Sequence, residues 1–474
     1  MQISEKEIEK LVEQVLGQLT HAHSPLSLNT ENTVQLGSGV FQTVEEAVEA
    51  SKDAEVEMRK VSLELRKKMI QAMRETSRNH AEELAQLAVE ETGLGRVEDK
   101  IAKNLLAAIK TPGVEDLTST TYTGDDGLTL VEYAPFGIVG SITPSTNPAA
   151  TIINNSLSLV AAGNVVVFNP HPSAKKVSLR TLQLLNEAIV SVGGPENVLT
   201  AVASPNLETS KEVMEHPEIR VLVVTGGGIV VKAAMKTGKK VVAAGPGNPP
   251  VVVDETAIIE KAGKDIVNGA SFDNNVLCTA EKEVFVVEKV ANTLKQEMVK
   301  NGAIELRGFE LEKLLKVLLV EQDGKYYPNR DYIGKNASVL LSAIGKKVDE
   351  SVKLIITETK SDHPLVTTEM LMPIIPIVKV ANVDEAINLA VKAEKGNRHT
   401  AIMHSQNVTN LTKMAREIQA TIFVKNGPSY SGLGYNAEGF TTLTIAGPTG
   451  EGLTSARTFT RQRRCVLVDG FRIL

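Results

Sequence analysis

Apolar residues along the chain follow two patterns, and these patterns alternate over most of its length. Between residues 43 and 110 the apolar positions recur at helical spacing among Glu, Lys and Arg, with breaks at Gly93, Gly95 and Pro112. Further along, short runs of β-branched residues alternate with helical stretches, which is typical of βαβ units in a parallel sheet. The pattern therefore predicts an α/β fold with doubly wound sheets.

Two successive series of strands are predicted. The first starts in GLTLVEYAPFGIVGSITP, which holds two strand-like runs, and continues at residues 165–170, 198–203, 221–225 and 239–244. The second begins with PPVVVD and continues with EVFVVE, KLIITET, PIIPIVKV and TAIMHS. The terminal run RRCVLVDGFRIL predicts a strand with an open edge, which we expect to pair with another subunit.

The first twenty residues predict a separate amphipathic helix. Ser4 and Glu7 provide a capping-box start. Residues 21–40 are polar, contain Gly, Ser and Pro, and predict a flexible linker. Such a helix either docks on its own protein or binds a partner surface, and the pattern leaves both open. Its apolar stripe consists of Ile8, Leu11, Val12, Val15, Leu16 and Leu19.

Composition narrows the class of protein. A net charge of −6 argues against nucleic acid as a partner, and aromatic residues are only 4%, with no Trp for base stacking. Two Cys in 474 residues exclude a disulfide framework and suit a reducing cytoplasm. No apolar run approaches the roughly 20 residues that span a bilayer. We expect a soluble, cytoplasmic, multidomain protein that binds neither nucleic acid nor membrane.

One cysteine is a candidate nucleophile. Cys278 lies in a loop rich in Gly, Ser, Asn and Asp, between a helical pattern and a strand. A thiol in such a loop can become an accessible thiolate, although an inert loop cysteine has the same appearance. Cys465 lies within an apolar run and is predicted to be structural.

Asn147 and a run of glycines are candidate binding elements. Asn147 precedes Pro148 at a strand-to-helix junction, where its side chain either caps the helix or donates to a developing oxyanion. Thr225 and the glycines at 226–228 join a strand to a helix, which indicates a phosphate-facing loop or a tight turn. His171 follows another strand and faces either a nucleotide or solvent.

Several other chemistries have no motif in the sequence. The G-x-G-x-x-G dinucleotide fingerprint is not met, and there is no G-x-S-x-G elbow and no Walker loop. H-E-x-x-H and C-x-x-C are also missing, so no metal site is expected. Serine hydrolases and P-loop NTPases are therefore disfavoured.

The assembled segments resemble the aldehyde dehydrogenase superfamily over nearly the whole chain. The segments that carry this resemblance include VVVFNPHPSA, VVTGGG, AAGPGNPPVVVD and the Cys278 loop. TPSTNPAATIINN, GASFDNN, FVKNGPSYSGLG, PTGEG and TSARTF resemble more narrowly its CoA-acylating branch, which oxidises propanal or acetaldehyde inside bacterial microcompartments. The resemblance implies two doubly wound α/β domains, for cofactor and catalysis, and a β oligomerisation arm. It also favours an encapsulation peptide at the N-terminus.

The resemblance implies a division of the chain into domains. The predicted segments are a targeting helix at 1–20, a linker at 21–40, a cofactor-binding domain at 41–248 with 120–135 in the oligomerisation arm, a catalytic domain at 249–436, and a return to the cofactor domain with an oligomerisation strand at 437–474.

The resemblance also implies roles for individual residues. Cys278 matches the nucleophile, and Asn147 matches the side-chain half of the oxyanion hole. Glu369 matches the carboxylate that holds the nicotinamide ribose. The residues expected to bind NAD are Thr143, Pro144, His171, Thr225, Gly226, Gly227, Gly228 and Glu369.

Two positions depart from the pattern of many relatives. Ala244 stands where hydrolytic members carry the Glu that activates water, and losing such a base slows hydrolysis about 10²–10⁴-fold. Coenzyme A can then take the acyl group as a second substrate. Asn169 stands where many relatives have a Lys near the adenine ribose, and NAD is still favoured over NADP. The base that deprotonates Cys278 is left open, because His399 follows a helix and is expected at the surface.

The expected protein is a CoA-acylating aldehyde dehydrogenase located in the cytoplasm, inside a bacterial microcompartment. Propanal is the first choice of substrate, with acetaldehyde as an alternative, because one methylene changes binding by only about 1–3 kcal/mol. A hydrolytic enzyme, a reductase of acyl phosphates and a catalytically silent cargo or scaffold protein remain alternatives. A homo-oligomer, dimer or tetramer, and a shell protein bound through residues 1–20 are expected.

Overall fold

The computed structural model describes residues 36–473. The predicted targeting helix at 1–20 and most of the predicted linker lie outside the described residues. After a two-residue strand at Val40–Phe41 the described chain forms four helices, and the first of them has a capping box in which Thr43 and Glu46 bond each other's backbone. These helices are α1 Val44–Met58, α2 Leu63–Asn79, α3 Ala81–Thr92 and α4 Val97–Lys110.

The predicted breaks between these helices are confirmed. Gly93 ends α3 with φ of 66°, and Gly95 has φ of 78° before α4 begins. Both values lie in the left-handed region, which glycine enters without a steric penalty.

The first half of the chain forms a six-stranded parallel sheet in the order β1-β6-β5-β4-β7-β8. Strand order reverses between β4 and β7, so the chain has a topological switch point at the carboxyl ends of these strands. The six strands of this sheet are β1 Val40–Phe41, β4 Ile138–Thr143, β5 Val165–Pro170, β6 Leu199–Val202, β7 Val221–Thr225 and β8 Lys240–Ala244, whereas β2 Thr120–Gly124 and β3 Gly127–Pro135 belong to a separate sheet. The helices that cover this sheet include α5 Pro148–Ala161, α6 Lys175–Ser191, α7 Leu207–Glu215 and α8 Gly228–Met235.

The second half forms a seven-stranded parallel sheet in the order β11-β14-β15-β10-β9-β16-β17. The strands of this sheet are β9 Pro250–Val253, β10 Glu283–Val287, β11 Ala303–Glu305, β14 Leu354–Glu358, β15 Ile374–Val380, β16 Thr400–His404 and β17 Ile422–Lys425. Two-stranded sheets are formed by β12 Leu319–Gln322 with β13 Lys325–Pro328 and by β18 Ile445–Ala446 with β19 Gly452–Leu453. The last strand is β20 Thr460–Val468. The helices are α9 Ile259–Ser271, α10 Glu288–Lys300, α11 Gly308–Leu318, α12 Ala337–Ser342, α13 Pro364–Thr367, α14 Val383–Glu394 and α15 Val408–Ile418.

Both faces of the second sheet are buried. Val251 and Val253 pack into one apolar cluster, whereas Val252 packs with Phe285 into another. Alternate residues of a strand point to opposite faces, so continuous apolar runs are needed here. This explains why the strands were readable as β-branched runs rather than as an alternating pattern.

A three-stranded antiparallel sheet has the strand order β2-β3-β20, with Arg464 opposite Val131. Its outer strand β20 is an edge strand, and Cys465 within it is exposed. The prediction that Cys465 is structural is therefore wrong, because its apolar run forms an exposed edge and not a core strand. Pairing of this edge with another subunit stays a prediction.

The architecture confirms the predicted fold class, with two parallel α/β sheets and a β arm. The first sheet ends at Ala244 and the second begins at Pro250, whereas the domain limits themselves stay a prediction. Among the described helices none is long and apolar enough to cross a membrane.

Candidate active site

The loop that carries Cys278 follows three consecutive residues in the left-handed conformation. Asp273, Asn274 and Asn275 have φ of 49°, 53° and 67° directly after α9. Asp and Asn enter this region more readily than other side chains, which explains the Asp-Asn-Asn run. Each such residue costs about 1–3 kcal/mol, so the surrounding structure has to stabilise the turn.

Side-chain hydrogen bonds supply that stabilisation. The Asp273 carboxylate accepts a bond of 2.8 Å from the Arg96 backbone N–H. The Asn274 side chain donates to the Gly334 carbonyl at 2.8 Å. The Asn275 side chain donates to the carbonyls of Ala270 at 2.7 Å and Glu281 at 2.9 Å. The loop is therefore held from several segments before any ligand binds.

Cys278 itself is partly buried at the end of this loop. Burial, followed by the negative charge of Glu369, raises the pKa of its thiol to about 11. The ammonium groups of Lys282 and Lys103 act in the opposite direction and lower this pKa. Lys282 is anchored on the loop by bonds to the Asn275 carbonyl at 2.9 Å and its side-chain oxygen at 2.7 Å. The thiol is thus protonated at neutral pH, with two cations nearby that favour its thiolate.

Asn147 lies at the N-cap of α5, with Pro148 at the first helical position. Its side chain makes no capping hydrogen bond, so the helix-cap alternative is excluded. Instead, Oδ1 accepts a short bond from Lys103 Nζ, and Nδ2 donates to Thr146 Oγ1 at 3.2 Å. Lys103 also bonds the Asp273 carboxylate. One ammonium group therefore links Asn147 to the turn that leads to Cys278.

Glu369 lies near the same loop, shortly after α13. Its carboxylate accepts a hydrogen bond from the Gly247 backbone N–H, and burial raises its pKa. Its charge also acts on Cys278, so the structure brings these two predicted residues into one site.

His399, which the sequence analysis left out of the candidate site, lies next to it. It is 1% exposed, so its expected place at the surface is wrong. A β-carbon on Gly247 would lie 3.1 Å from Cγ of His399 and 2.7 Å from the Cys278 carbonyl oxygen. The imidazole thus lies beside the Cys278 loop, separated from it by a glycine. No local pattern distinguishes this histidine from a surface one.

The chemical state of His399 follows from its burial. Burial and the positive charge of Lys282 lower its pKa to about 4, so the ring is neutral at pH 7. Nδ1 lies 2.9 Å from Thr400 Oγ1, whereas Nε2 has no hydrogen-bond partner among the described residues. A neutral imidazole with an unpaired nitrogen can accept a proton.

Apart from Glu369, the predicted nucleotide-binding residues lie at the carboxyl edge of the first sheet. Thr143 and Pro144 lie at the end of β4, and Thr225 ends β7. His171 follows β5, and its backbone N–H donates to the Thr143 carbonyl at 3.0 Å. The Thr143 hydroxyl is buried and has no partner in the described part of the chain. This edge is the switch point, where α/β sheets of this type bind ligands.

The glycines at 226–228 leave unfilled space at this edge of the sheet. A β-carbon placed on Gly226, Gly227 or Gly228 would meet no atom within 4 Å, and none has a positive φ. Helix α8 begins at Gly228 without a side-chain cap. The open space and the uncapped helix start fit the diphosphate of a dinucleotide better than a tight turn that needs left-handed glycines.

Asn169 does not point to this open edge. It is 1% exposed, and its Nδ2 donates to Ser210 Oγ at 2.6 Å. Its Oδ1 accepts from Thr209 Oγ1 at 2.7 Å. Both polar groups are therefore used within the fold, on α7. His171 is half-buried, and burial and the positive charge of Arg330 lower its pKa.

Ala244 ends β8 at the same edge and is buried. The segment after β18 contacts the preceding residue of the strand, since Thr449 Oγ1 accepts a bond of 3.0 Å from the Ala243 N–H. The methyl group of Ala244 carries no proton acceptor. Among residues 36–473, no group of three His, Cys, Asp or Glu side chains could hold a metal ion.

Comparison with known proteins finds relatives along the chain. The sequence model of the aldehyde dehydrogenase family matches residues 19–307 and 334–440. The acetylating acetaldehyde dehydrogenase EutE of Salmonella typhimurium is 52% identical over 475 residues, covering 100% of both chains.

Two solved structures are similar over most of the fold. The propionaldehyde dehydrogenase of Rhodopseudomonas palustris, solved with bound CoA and an acylated cysteine, is 51% identical with a TM-score of 0.89. The comparison covers 92% of this chain and 99% of that one. A propionaldehyde dehydrogenase from the fucose utilisation bacterial microcompartment of Clostridium phytofermentans is 48% identical, with a TM-score of 0.90. The comparison covers 92% of this chain and 100% of that one.

Proposed function

Because the chain belongs to the aldehyde dehydrogenase family, we propose that it oxidises a short aliphatic aldehyde and transfers the acyl group to coenzyme A. The observation that carries this proposal is the arrangement at Cys278. Cys278 follows a preformed turn that the Lys103 ammonium group joins to the Asn147 amide, and Ala244 stands at the position that the resemblance assigns to the hydrolytic base. The overall reaction is aldehyde, CoA and NAD⁺ to acyl-CoA, NADH and a proton.

Cys278 acts as the nucleophile. Its thiolate sulfur bonds to the aldehyde carbon, and the carbonyl oxygen becomes an oxyanion. The Asn147 side-chain amide and the Cys278 backbone N–H donate to that oxyanion, an interaction that contributes about 3–4 kcal/mol in acyl chemistry. Loss of the hydride then leaves a thioester on Cys278. The CoA thiolate attacks this thioester, releases acyl-CoA and returns the Cys278 thiolate.

The cofactor site uses the carboxyl edge of the first sheet. Bound NAD⁺ supplies the hydride acceptor for the oxidation step. Gly226, Gly227 and Gly228 leave room for its diphosphate at the start of α8. Glu369 has a carboxylate close to Cys278 and is suited to hold the ribose hydroxyls next to the nicotinamide.

His399 is proposed as the base that accepts a thiol proton. Its ring is neutral at pH 7, and Nε2 has no partner among the described residues. It lies beside the Cys278 loop across Gly247. The proton comes from Cys278 before attack on the aldehyde, or from CoA before attack on the thioester.

The release step determines the product. Ala244 cannot activate water, so the thioester persists until a better nucleophile arrives. CoA carries a thiol, and this thiol is the nucleophile that releases the acyl group. Propanal is the proposed main substrate. Acetaldehyde is kept as the alternative, because relatives of both kinds have about the same identity to this chain.

The location and assembly are proposed on separate grounds. The relative from the fucose utilisation microcompartment supports a location inside such a compartment. Residues 1–20 are then the segment that binds a shell protein, and deleting them should abolish co-purification with shells while activity remains. The exposed edge of β20 supports a dimer or tetramer paired through the β arm.

The experiment that tests the reaction measures NADH formed from propanal and NAD⁺, with and without CoA. Steady turnover should require CoA and should disappear in Cys278→Ala. Equal turnover without CoA would mean that water releases the acyl group despite Ala244. A free carboxylic acid would then be the product, as in the hydrolytic alternative.

A further inference from the structure

Lys103 is buried on α4, where it touches both halves of the candidate active site. Its side chain is 3% exposed. Its ammonium group bonds Asn147 Oδ1 on one side and the Asp273 carboxylate on the other. These partners come from the start of α5 and from the left-handed turn before Cys278.

We propose that Lys103 is a positioning residue of the oxyanion hole, which holds the Asn147 amide with Nδ2 facing the reacting carbonyl. This inference rests on the proposed function, because it concerns how that reaction is stabilised.

The orientation of Asn147 follows from hydrogen-bond chemistry. An ammonium group can only donate, so the amide has to present its oxygen to Lys103. The amide nitrogen then points the other way, where it gives one N–H to Thr146 Oγ1 at 3.2 Å. The second N–H makes no hydrogen bond within residues 36–473 and is available to the oxyanion. A flipped amide would place an oxygen against the developing negative charge.

Lys103 is held firmly enough to impose this orientation. Its other partner, Asp273, accepts a bond of 2.8 Å from the Arg96 N–H. The Asp273 N–H in turn donates to Asp99 Oδ2 at 2.8 Å. Lys103 therefore joins the oxyanion donor to the loop of the nucleophile and keeps the distance between them constant. Fixing two reacting groups in this way is a main source of rate enhancement.

Lys100 provides an internal comparison. It lies almost one helical turn earlier on α4, is equally buried, and bonds the same Asp273 carboxylate at 3.1 Å. Its other bond goes to the Thr146 carbonyl at 3.0 Å and not to the Asn147 side chain. A purely structural role in the buried ion cluster would be shared by both lysines. An effect through the Asn147 amide would belong to Lys103 alone.

The test compares four variants, Lys103→Met, Lys100→Met, Asn147→Ala and the double variant Lys103→Met/Asn147→Ala. The readout is the rate constant of the single-turnover NADH burst from propanal and NAD⁺ without CoA, because this step contains the oxyanion. Thermal unfolding of each variant is measured alongside. We expect Lys103→Met to slow the burst about 10²-fold, as for loss of an oxyanion donor, with a smaller loss in Lys100→Met.

The double variant gives the decisive comparison. If Lys103 acts through Asn147, its removal slows the burst little further once the amide is gone. Multiplicative losses in the double variant, or equal losses in the two lysine variants, would overturn the proposal. Lys103→Gln retains a donor for Asn147 and should recover part of the rate; it replaces Lys103→Met in all comparisons if the methionine variant does not fold.

Different results would overturn the proposed reaction and the role of Lys103. The proposed reaction, and with it the role of Lys103, would be overturned if Cys278→Ala still showed the burst, or if the wild-type protein showed none. A burst that depends on Cys278 but is unchanged in Lys103→Met would overturn only the role of Lys103.

Discussion

Gly247 and His399 lie so close together that a β-carbon on Gly247 would be 3.1 Å from Cγ of the imidazole. The same β-carbon would lie 2.7 Å from the Cys278 carbonyl oxygen, which is closer than real β-carbons approach a backbone atom. Glycine is therefore required here by the close approach of the His399 and Cys278 segments and not by a left-handed backbone.

We expect Gly247→Ala to slow acylation of Cys278 about 10²-fold, because the loop has to move by a large fraction of an ångström. The burst of NADH measures this step. Gly124→Ala is the matched control, since a β-carbon there meets no atom within 4 Å. Unchanged activity in Gly247→Ala would show that the Cys278 loop can shift without cost.

A second prediction concerns the ionisation of Cys278. Its pKa is raised to about 11 by burial and by the charge of Glu369, and only the thiolate reacts with iodoacetamide. The alkylation rate should therefore rise about tenfold per pH unit from neutral pH towards about pH 10. Glu369→Gln removes the negative charge and should shift this profile to lower pH.

Mass spectrometry of the modified peptide identifies the site of alkylation. Cys465 is exposed and would also react, so the measurement is made in a Cys465→Ser background. A profile that moves to higher pH in Glu369→Gln would contradict the assigned effect of that carboxylate.

A third prediction concerns stability in acid. His404 lies in β16, is 1% exposed, and has its pKa lowered from 6.5 to about 3 by burial and by the positive charge of Lys261. Below about pH 6.5 the unfolded state therefore binds a proton that the folded state does not bind. The free energy of unfolding therefore falls as the pH is lowered from about 6.5 towards 3, with a slope of up to about 1.4 kcal/mol per pH unit.

Urea unfolding between about pH 7 and about pH 5 measures this slope. His404→Gln has no titrating imidazole and should depend less steeply on pH, whatever its stability at neutral pH. An identical slope in the two proteins would mean that His404 is not the residue responsible.

The strands were predictable because both sheets are parallel and buried on both faces. Residues 165–168 and 221–224 are continuous apolar runs for this reason, and the strands that contain them, 165–170 and 221–225, are found at the predicted limits. Cys278, Asn147 and Glu369 were found through resemblance, and the structure places them in one region, although their roles stay predictions.

The parts that could not be predicted depend on contacts between distant segments. His399 lies against the segment around Gly247, which is distant from it in the chain. Lys103 lies in a helix with two other lysines, and nothing in its local pattern indicates the contact with Asn147, 44 residues away. Cys465 was misread because an exposed edge strand can be as apolar as a core strand.

The last prediction concerns Asn169, at the position where many relatives carry a lysine near the adenine ribose. Both of its polar groups are bonded to Thr209 and Ser210, so it cannot reach a ribose without breaking them. Asn169→Ala should therefore leave the KM for NAD⁺ within a few-fold while lowering the free energy of unfolding by about 1–3 kcal/mol. Steady-state kinetics and urea unfolding on the same samples separate the two effects. A large rise in the KM for NAD⁺ with unchanged stability would instead place Asn169 in direct contact with the cofactor.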